Sequence, residues 1–254
     1  MIEIKEGNFD YSDFAQRYVR SNAEKNILDI MWASREKYSY ESYDELTFEI
    51  MLRGETVSAS VALHQSGMEF KVFRESRCNP AYWEKTPEGG FLMKRNVSAS
   101  SAIRDIFENG AKYATECATA MIIVYYKALL GVYPEELYNR LFKRIQLMNW
   151  HYVHDLLSEA GYMRTAKDYM PGDRRYVINP DVNPLTPECR GENLIDLGNG
   201  RYYGHGIGIG SVEYVIRELN ECRREGATRS AYLLDTVGLL NFKLLHLIKR
   251  QGQL

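Results

Sequence analysis

One cysteine, Cys117, stands where a buried helix is predicted to begin, and this position favours nucleophilic chemistry. Residues 116–130 are apolar almost all the way round, which is typical of a helix in the centre of a domain. Thr115 is predicted to cap this helix, and Gly131 to end it. The unpaired N–H groups and positive dipole end of the first turn stabilise a thiolate, the form of cysteine that attacks carbonyl carbons. Two interpretations remain open, a thiol nucleophile and a buried structural cysteine.

A carboxylate and an imidazole are predicted to lie together on a β-hairpin near residue 200. Asn199-Gly200 between two extended runs is a strong hairpin signal. With these two residues in the loop, Leu194 faces His205, and Glu192 points to the same face as His205. Alternate glycines from 204 to 210 leave room there for another backbone or a substrate. The alternative is an exposed charged pair on the surface of a sheet.

The elements that must position these side chains are predicted from hydrophobic spacing and turn residues. Between residues 1 and 43, only 22–35 show helical spacing. Residues 82–93 are predicted to form two short strands around a Pro/Gly turn. Four further helices are predicted, from Asp44 to about Gly67, Pro134 to Met148, Ser211 to Glu225 and Ser230 to Lys249. A further strand is predicted from Arg175 to Ile178.

The overall composition argues against several classes of protein. The chain has 254 residues, of which 45% are hydrophobic, and shows no linker or repeat, so one domain is expected. A net charge of -2 gives no reason to expect nucleic acid or an anionic membrane as a partner. The first residues lack the apolar core of a secretory signal, which predicts synthesis and folding in the cytoplasm.

Metal binding and extensive cross-linking are also not expected. The four cysteines are far apart and form no C-x-x-C pair, so neither a zinc site nor a dense disulfide framework is predicted. His151 and His154 have no third ligand at a suitable spacing nearby, and we interpret them as a structural pair.

Several short motifs follow one another in the order and near the spacing found in one enzyme family. They are Ala102-Ile-Arg-Asp-Ile106, Glu116-Cys-Ala-Thr-Ala120, Trp150-His-Tyr152, Arg190-Gly-Glu-Asn193, His205-Gly-Ile-Gly-Ile209 and Ser230-Ala-Tyr-Leu-Leu234. On these residues the chain resembles the bacterial spore-coat protein-glutamine gamma-glutamyltransferases, which are transglutaminases. The resemblance runs from about Leu46 to Leu234, and residues 1–43 match poorly, which predicts a variable N-terminal segment.

The resemblance implies an α/β (α+β) fold with a papain-like, cell-wall-peptidase-like thiol-enzyme core. A central antiparallel sheet would pack with helices, and the catalytic cysteine would begin a buried helix. The whole of residues 1–254 would form a single catalytic domain. The family needs no cofactor and is independent of calcium, and the protein is expected to be a monomer.

The same resemblance implies roles for individual residues. Cys117 would be the nucleophile, Glu192 its acid/base partner, Glu116 a second carboxylate able to assist, and His205 an accessory group. Phe70 and Trp150 would line an apolar tunnel to the thiol, with Asn193 as a further substrate-binding residue. The family usually has an aromatic residue just before Arg-Gly-Glu, and Cys189 stands at that position here. One wall of the tunnel is therefore expected to differ.

The implied reaction joins the side chains of two proteins. The thiol would form a thioester with a protein glutamine and release ammonia, and a lysine amine would then give an ε-(γ-glutamyl)lysine isopeptide bond. The expected partners are spore-coat proteins. The enzyme itself is expected in the cytoplasm of the sporulating mother cell and later in the spore coat. Two other classes stay open: a thiol peptidase or amidase with the same core, and a non-catalytic coat scaffold protein.

Overall fold

The computed structural model describes residues 1–5 and 7–252, which form eight α-helices and twelve short strands. The helices are α1 Tyr11–Tyr18, α2 Asn22–Ala33, α3 Tyr43–Gln65, α4 Ala99–Glu108, α5 Cys117–Val132, α6 Glu135–Leu141, α7 Val212–Glu221 and α8 Phe242–Gly252. The strands are β1 Ile2–Ile4, β2 Tyr38–Tyr40, β3 Glu69–Phe70, β4 Trp83–Lys85, β5 Phe91–Met93, β6 Ala114–Thr115, β7 Gln146–Leu147, β8 Arg174–Ile178, β9 Gly191–Gly198, β10 Arg201–Gly204, β11 Gly208–Gly210 and β12 Tyr232–Leu233.

A five-stranded antiparallel sheet and the buried helix α5 form the part of the fold that positions the site. The strand order is β11-β10-β9-β8-β12, with β9 in the middle. Helix α5 packs between α3 and β9, and its side chains are buried on nearly every face. An apolar helix of this kind gains most of its stability from packing rather than from helix propensity. The expected α+β class, with an antiparallel sheet and a buried central helix, is confirmed.

Apolar residues within 1–5 and 7–43 pack as a small cluster against the first turns of α3. Phe14, Ile27 and Leu28 are completely buried there with Leu46 of α3. Helix α2 coincides with the predicted helical spacing at 22–35, whereas β1, β2 and α1 were not predicted. Helix α3 is capped by the Ser42 side chain rather than by Asp44. That this segment is variable stays a prediction.

The predicted helix from Ser230 to Lys249 is wrong in its first half. Tyr232–Leu233 forms strand β12 beside β8, and helix α8 begins only at Phe242. The connecting backbone is irregular, and its Leu234 and Thr236 carbonyl oxygens accept hydrogen bonds from the Arg175 side chain on β8 rather than from a helical turn. Pairing with the sheet thus overrides a local hydrophobic pattern that suits a helix.

The predicted helix from Pro134 to Met148 is also too long. Helix α6 ends at Leu141, and Gln146–Leu147 forms strand β7 beside β5. The hairpin predicted within residues 82–93 is confirmed as β4 and β5, and α7 confirms the helix predicted after Ser211. Across residues 1–5 and 7–252 no helix combines the length and apolarity that a membrane span requires.

Candidate active site

Helix α5 begins at Cys117, and the residue that caps it is Glu116, not Thr115. The Glu116 carboxylate accepts hydrogen bonds from the backbone N–H groups of Ala118 (2.6 Å) and Thr119 (2.7 Å). Thr115 instead belongs to β6, where it pairs with Phe70 of β3. Threonine is the commoner cap, but its strand pairing leaves that role to the longer carboxylate next along the chain. A carboxylate at the start of a helix contributes about 0.3–1 kcal/mol to stability.

The thiol of Cys117 is held between the helix start and the middle strand of the sheet. Its sulfur accepts a hydrogen bond from the Nδ2 atom of Asn193 at 3.6 Å. Burial and the negative charges of Glu192 and Glu116 raise the pKa of the Cys117 thiol, and the Asn193 contact offsets part of that rise. The thiol is therefore neutral in the resting enzyme, so attack requires a nearby group that takes its proton.

Glu192 is the residue best placed to take that proton. The residue is 5% exposed, and its Oε1 atom has no hydrogen-bond partner within the described part of the chain. Burial and the charge of Glu116 raise the pKa of Glu192 well above its ordinary value, against a smaller opposite effect of the His205 backbone N–H. A carboxyl group with a raised pKa can accept a proton near neutral pH and return it later.

The imidazole of His205 is not available as the base, although it lies in the same region. Its Nδ1 atom lies 3.0 Å from the Tyr203 hydroxyl, and its Nε2 atom 3.2 Å from the Glu69 carbonyl oxygen. A carbonyl can only accept, so Nε2 carries the proton and Nδ1 accepts from Tyr203. Burial lowers the pKa of His205 to about 4, so the ring stays neutral at neutral pH. His205 holds β3 against the sheet end.

The hairpin that presents these residues has a different register from the predicted one. Gly198 pairs with Arg201 as expected, but Leu194 pairs with Gly204 rather than with His205. Leu197 is left unpaired as a β-bulge, which shifts the strands by one residue. At Gly204 the space left by the missing side chain is filled by Glu192, because an added Cβ would lie 3.0 Å from the Glu192 Cγ atom.

The predicted tunnel residues lie on two cavities that approach the site. A cavity of about 160 Å³ is lined by Phe70, Glu192 and His205, and one of about 440 Å³ by Cys117, Trp150 and Asn193. Glu188 lines both cavities. The structure therefore brings all seven predicted site residues to one region, with Phe70 on the carboxyl side and Trp150 on the thiol side.

The tunnel wall at Cys189 consists of a disulfide that the sequence did not indicate. Cys189 bonds to Cys222 at the end of α7, and both line the smaller cavity beside Glu192. Cys78 and Cys117 are the free cysteines of the described residues. Cysteine spacing does not specify pairing, so only the fold could reveal this bond.

Loss of this disulfide is expected to lower stability without removing the catalytic groups. The bond closes a loop with a sequence separation of 33, for which chain-entropy arguments give about 3–4 kcal/mol. Cys189→Ala, Cys222→Ala and the double variant should show nearly equal falls in free energy of unfolding under non-reducing conditions. Equal stability of all four proteins, or double-variant losses equal to the sum of the single losses, would contradict a bond between these two residues.

A further residue of the site, Arg174, was not found by sequence reasoning. It begins β8, is 2% exposed, and donates from Nη1 to the Oδ1 atom of Asn193 at 2.7 Å. The available signal was the pair Arg174-Arg175 in a predicted strand, because alternation directs one of two adjacent side chains to each face. The predicted strand began one residue later, at Arg175.

Comparisons with known proteins show the family to which this fold belongs. A family model described as protein-glutamine gamma-glutamyltransferase matches residues 1–249. A protein-glutamine gamma-glutamyltransferase of Bacillus cereus (strain 03BB102) is 47% identical over 224 residues, which covers 88% of this chain and 80% of the relative. The protein of that name from Bacillus cereus (strain AH187) is 45% identical over 236 residues, covering 93% and 82%.

A solved structure is similar over most of the fold. It is the transglutaminase from Geobacillus stearothermophilus without its C-terminal extension, with a TM-score of 0.77 and 45% sequence identity. The match covers 82% of this chain and 99% of that one. The chain thus belongs to the protein-glutamine gamma-glutamyltransferase family. It is a transglutaminase, an acyltransferase that acts on glutamine and lysine side chains of proteins.

Proposed function

We propose that transamidation in this protein uses Cys117 as the nucleophile and Glu192 as the group that carries protons. The observation that supports this most directly is the buried Glu192 carboxyl, which has an unpaired oxygen and a raised pKa. Its negative charge in turn raises the pKa of the Cys117 thiol, so the two groups interact. Such a pair needs no imidazolium, and His205 stays neutral. The site is therefore of the thiol–carboxyl kind rather than the thiol–imidazole kind.

In the first half-reaction the ionised Glu192 takes the proton of the Cys117 thiol as the sulfur attacks a glutamine carboxamide carbon. The tetrahedral oxyanion requires N–H donors. Glu116 occupies the N–H groups of Ala118 and Thr119, whereas that of Cys117 has no partner among the residues described and can donate. Protonated Glu192 then passes its proton to the departing nitrogen, so ammonia leaves and a thioester remains.

In the second half-reaction Glu192, again ionised, deprotonates the incoming lysine ammonium. That first proton passes on to the released ammonia, and the free amine attacks the thioester carbon. Glu192 then takes a second proton from the attacking nitrogen and delivers it to the Cys117 sulfur as the isopeptide bond forms. Glutamine and lysine ammonium thus give the isopeptide and ammonium with atoms and protons in balance, and we expect the reaction to need neither a cofactor nor calcium. Phe70 beside Glu192 and Trp150 beside Cys117 restrict water, which competes with lysine for the thioester.

Glu116 has a different task from Glu192 in this scheme. Its carboxylate accepts two backbone hydrogen bonds that fix the first turn of α5 and therefore the position of Cys117. It also raises the pKa of Glu192 through its negative charge. Glu116 thus assists by holding the nucleophile and tuning the proton carrier.

The proposal extends to the substrates and the setting of the enzyme. We expect the glutamines and lysines of spore-coat proteins to be joined by a monomer made in the mother-cell cytoplasm and later held in the coat. The support for this is the resemblance of the motifs around Cys117 and Glu192 to the spore-coat enzymes.

Incubation of the protein with a fluorescent primary amine and a glutamine-rich protein tests the proposed chemistry. Incorporation of the amine with loss of ammonia, detected by mass spectrometry and unchanged by a calcium chelator, is the expected result. Addition of coat proteins instead of the amine should give a ladder of cross-linked species. Release of free peptide fragments without any cross-linked product would select a thiol peptidase instead.

A further inference from the structure

Arg174 is a buried cation that contacts the active site by a hydrogen bond to the Asn193 side-chain amide. Its Nη1 donates to the Asn193 Oδ1 atom at 2.7 Å, and its Nε donates to the Ala160 carbonyl oxygen at 2.9 Å. The guanidinium carbon lies 4.5 Å from the ring centroid of Trp150. Gly238 provides the space, because an added Cβ would lie 2.8 Å from both Nε and Nη2. The chain thus holds this guanidinium in one place.

Arg174 lacks the counter-ion that a buried arginine normally has. The comparable buried Arg53 pairs with Glu49 and Asp173, but no carboxylate pairs with Arg174 in the described ranges. Within the same ranges its Nη2 atom has no hydrogen-bond partner. A buried, unpaired charge costs stability, so its retention points to a use in the folded protein.

The contact with Arg174 decides which way the Asn193 amide points. Arginine only donates hydrogen bonds, so the amide must turn its oxygen toward Arg174. Its NH₂ group then faces the Cys117 sulfur, 3.6 Å away. Without Arg174 the amide could rotate and present its oxygen to the sulfur, where it would oppose negative charge.

Two carboxylates act on the thiol with negative charge, so a cation has a distinct effect there. The titratable groups that face the thiol are Glu116 ahead of α5, Glu192 on β9, Arg174 and Tyr176 on β8, and Tyr203 on β10, with Tyr125 of α5 facing the guanidinium. Glu188 and Arg190 also line the cavity at Cys117, and the charge of Arg190 acts on Tyr176. Of the two arginines, Arg174 is the one that donates to the Asn193 amide beside the sulfur. Burial lowers the pKa of Arg174, but a guanidinium remains protonated at neutral pH.

We propose that Arg174 is a positioning residue of the transamidation site, which fixes the Asn193 amide with its NH₂ group toward Cys117 and so favours negative charge on the sulfur. This rests on Cys117 being the nucleophile proposed above. Arg174 acts both when the thiol loses its proton and when the sulfur leaves the acyl group in the second half-reaction. In both steps electron density collects on the sulfur.

The test is the rate at which the uncharged reagent iodoacetamide alkylates Cys117, followed by mass spectrometry across the neutral and alkaline range. Arg174→Met removes the donor that orients the Asn193 amide, so the thiol pKa should rise by about one unit and alkylation below that pKa should slow about tenfold. The kcat of amine incorporation should fall while KM changes little. Arg174→Lys keeps the charge and should recover part of the alkylation rate.

Arg175→Met is the matched control, because Arg175 is also buried and adjacent on β8 but bonds to the Leu234 and Thr236 carbonyl oxygens on the opposite face. It should leave the alkylation profile unchanged even if it lowers stability. Asn193→Leu keeps the buried arginine and should give the same slowing as Arg174→Met, which covers the case in which Arg174→Met does not fold.

Three outcomes would overturn the inference while leaving Cys117 as the nucleophile. One is alkylation of folded Arg174→Met within about twofold of the wild-type rate. Another is an equal slowing in Arg175→Met. In the third, Asn193→Leu is alkylated as fast as the wild type. If wild-type Cys117 is not alkylated at any pH, the proposed nucleophile itself is wrong and the inference falls with it; normal alkylation of the wild type separates the two failures.

Discussion

Replacement of Cys117 by serine or alanine is expected to abolish amine incorporation. A hydroxyl at neutral pH is a far weaker nucleophile than a thiolate, and removal of a nucleophile typically lowers kcat at least about a thousandfold. Cys117 begins α5, where its substitution leaves the Glu116 cap in place, so the protein should still fold. The measurement is the initial rate of incorporation of a fluorescent amine into a glutamine-rich protein.

Serine substitutions of the other cysteines are the controls for this experiment. Cys78 is free and half-buried, and Cys189 and Cys222 bond to each other, so each variant should keep most of its activity at temperatures where it is folded. An indispensable Cys78, Cys189 or Cys222 together with an active Cys117→Ala variant would show that the nucleophile has been wrongly assigned.

The second expected result separates the carboxylates and the imidazole. Glu192→Gln should lose about 100- to 10,000-fold in kcat, because it keeps the shape of the side chain but cannot carry a proton. Glu116→Gln should lose less, since the amide oxygen can still accept a hydrogen bond from the first turn of α5. The double variant should be worse than either, and His205→Ala should be intermediate because it loosens β3.

The pH dependence of activity in the same variants tests whether Glu192 acts in its ionised form. Glu192 must be ionised to take the thiol proton, so wild-type activity should rise with pH through its raised pKa. That rise should be absent from the residual activity of Glu192→Gln, measured by amine incorporation at each pH. If Glu192→Gln keeps nearly wild-type rates while His205→Ala is inactive, the enzyme is a thiol–imidazole catalyst and the role given to Glu192 is wrong.

The site residues could be predicted because each lies within a short local pattern. Cys117 at the start of an apolar helix and Glu192 before an Asn-Gly hairpin need only the periodicity of the backbone and a family resemblance. The chemistry of His205 could not be read in this way. Its neutrality depends on Tyr203 and on the Glu69 carbonyl, which lies 136 residues away in the chain.

The errors in the fold have a common physical cause, which is competition from distant pairing. The strand at Tyr232–Leu233 exists because β8 lies beside it, and the bulge at Leu197 that shifts the hairpin register has no local signal. Arg174 was missed for a similar reason. Its role arises from contacts with Asn193 and Trp150, which only the folded sheet brings together.

Trapping of the acyl-enzyme tests the account most directly. The protein is incubated with a glutamine peptide in the absence of any amine, quenched in acid and digested, and the peptides are analysed by mass spectrometry. We expect one adduct, on the peptide that contains Cys117, with the mass of the glutamine peptide less ammonia. It should be released by hydroxylamine and be nearly absent from Glu192→Gln. An adduct on any other residue, or active enzyme that never forms one on Cys117, would contradict the account.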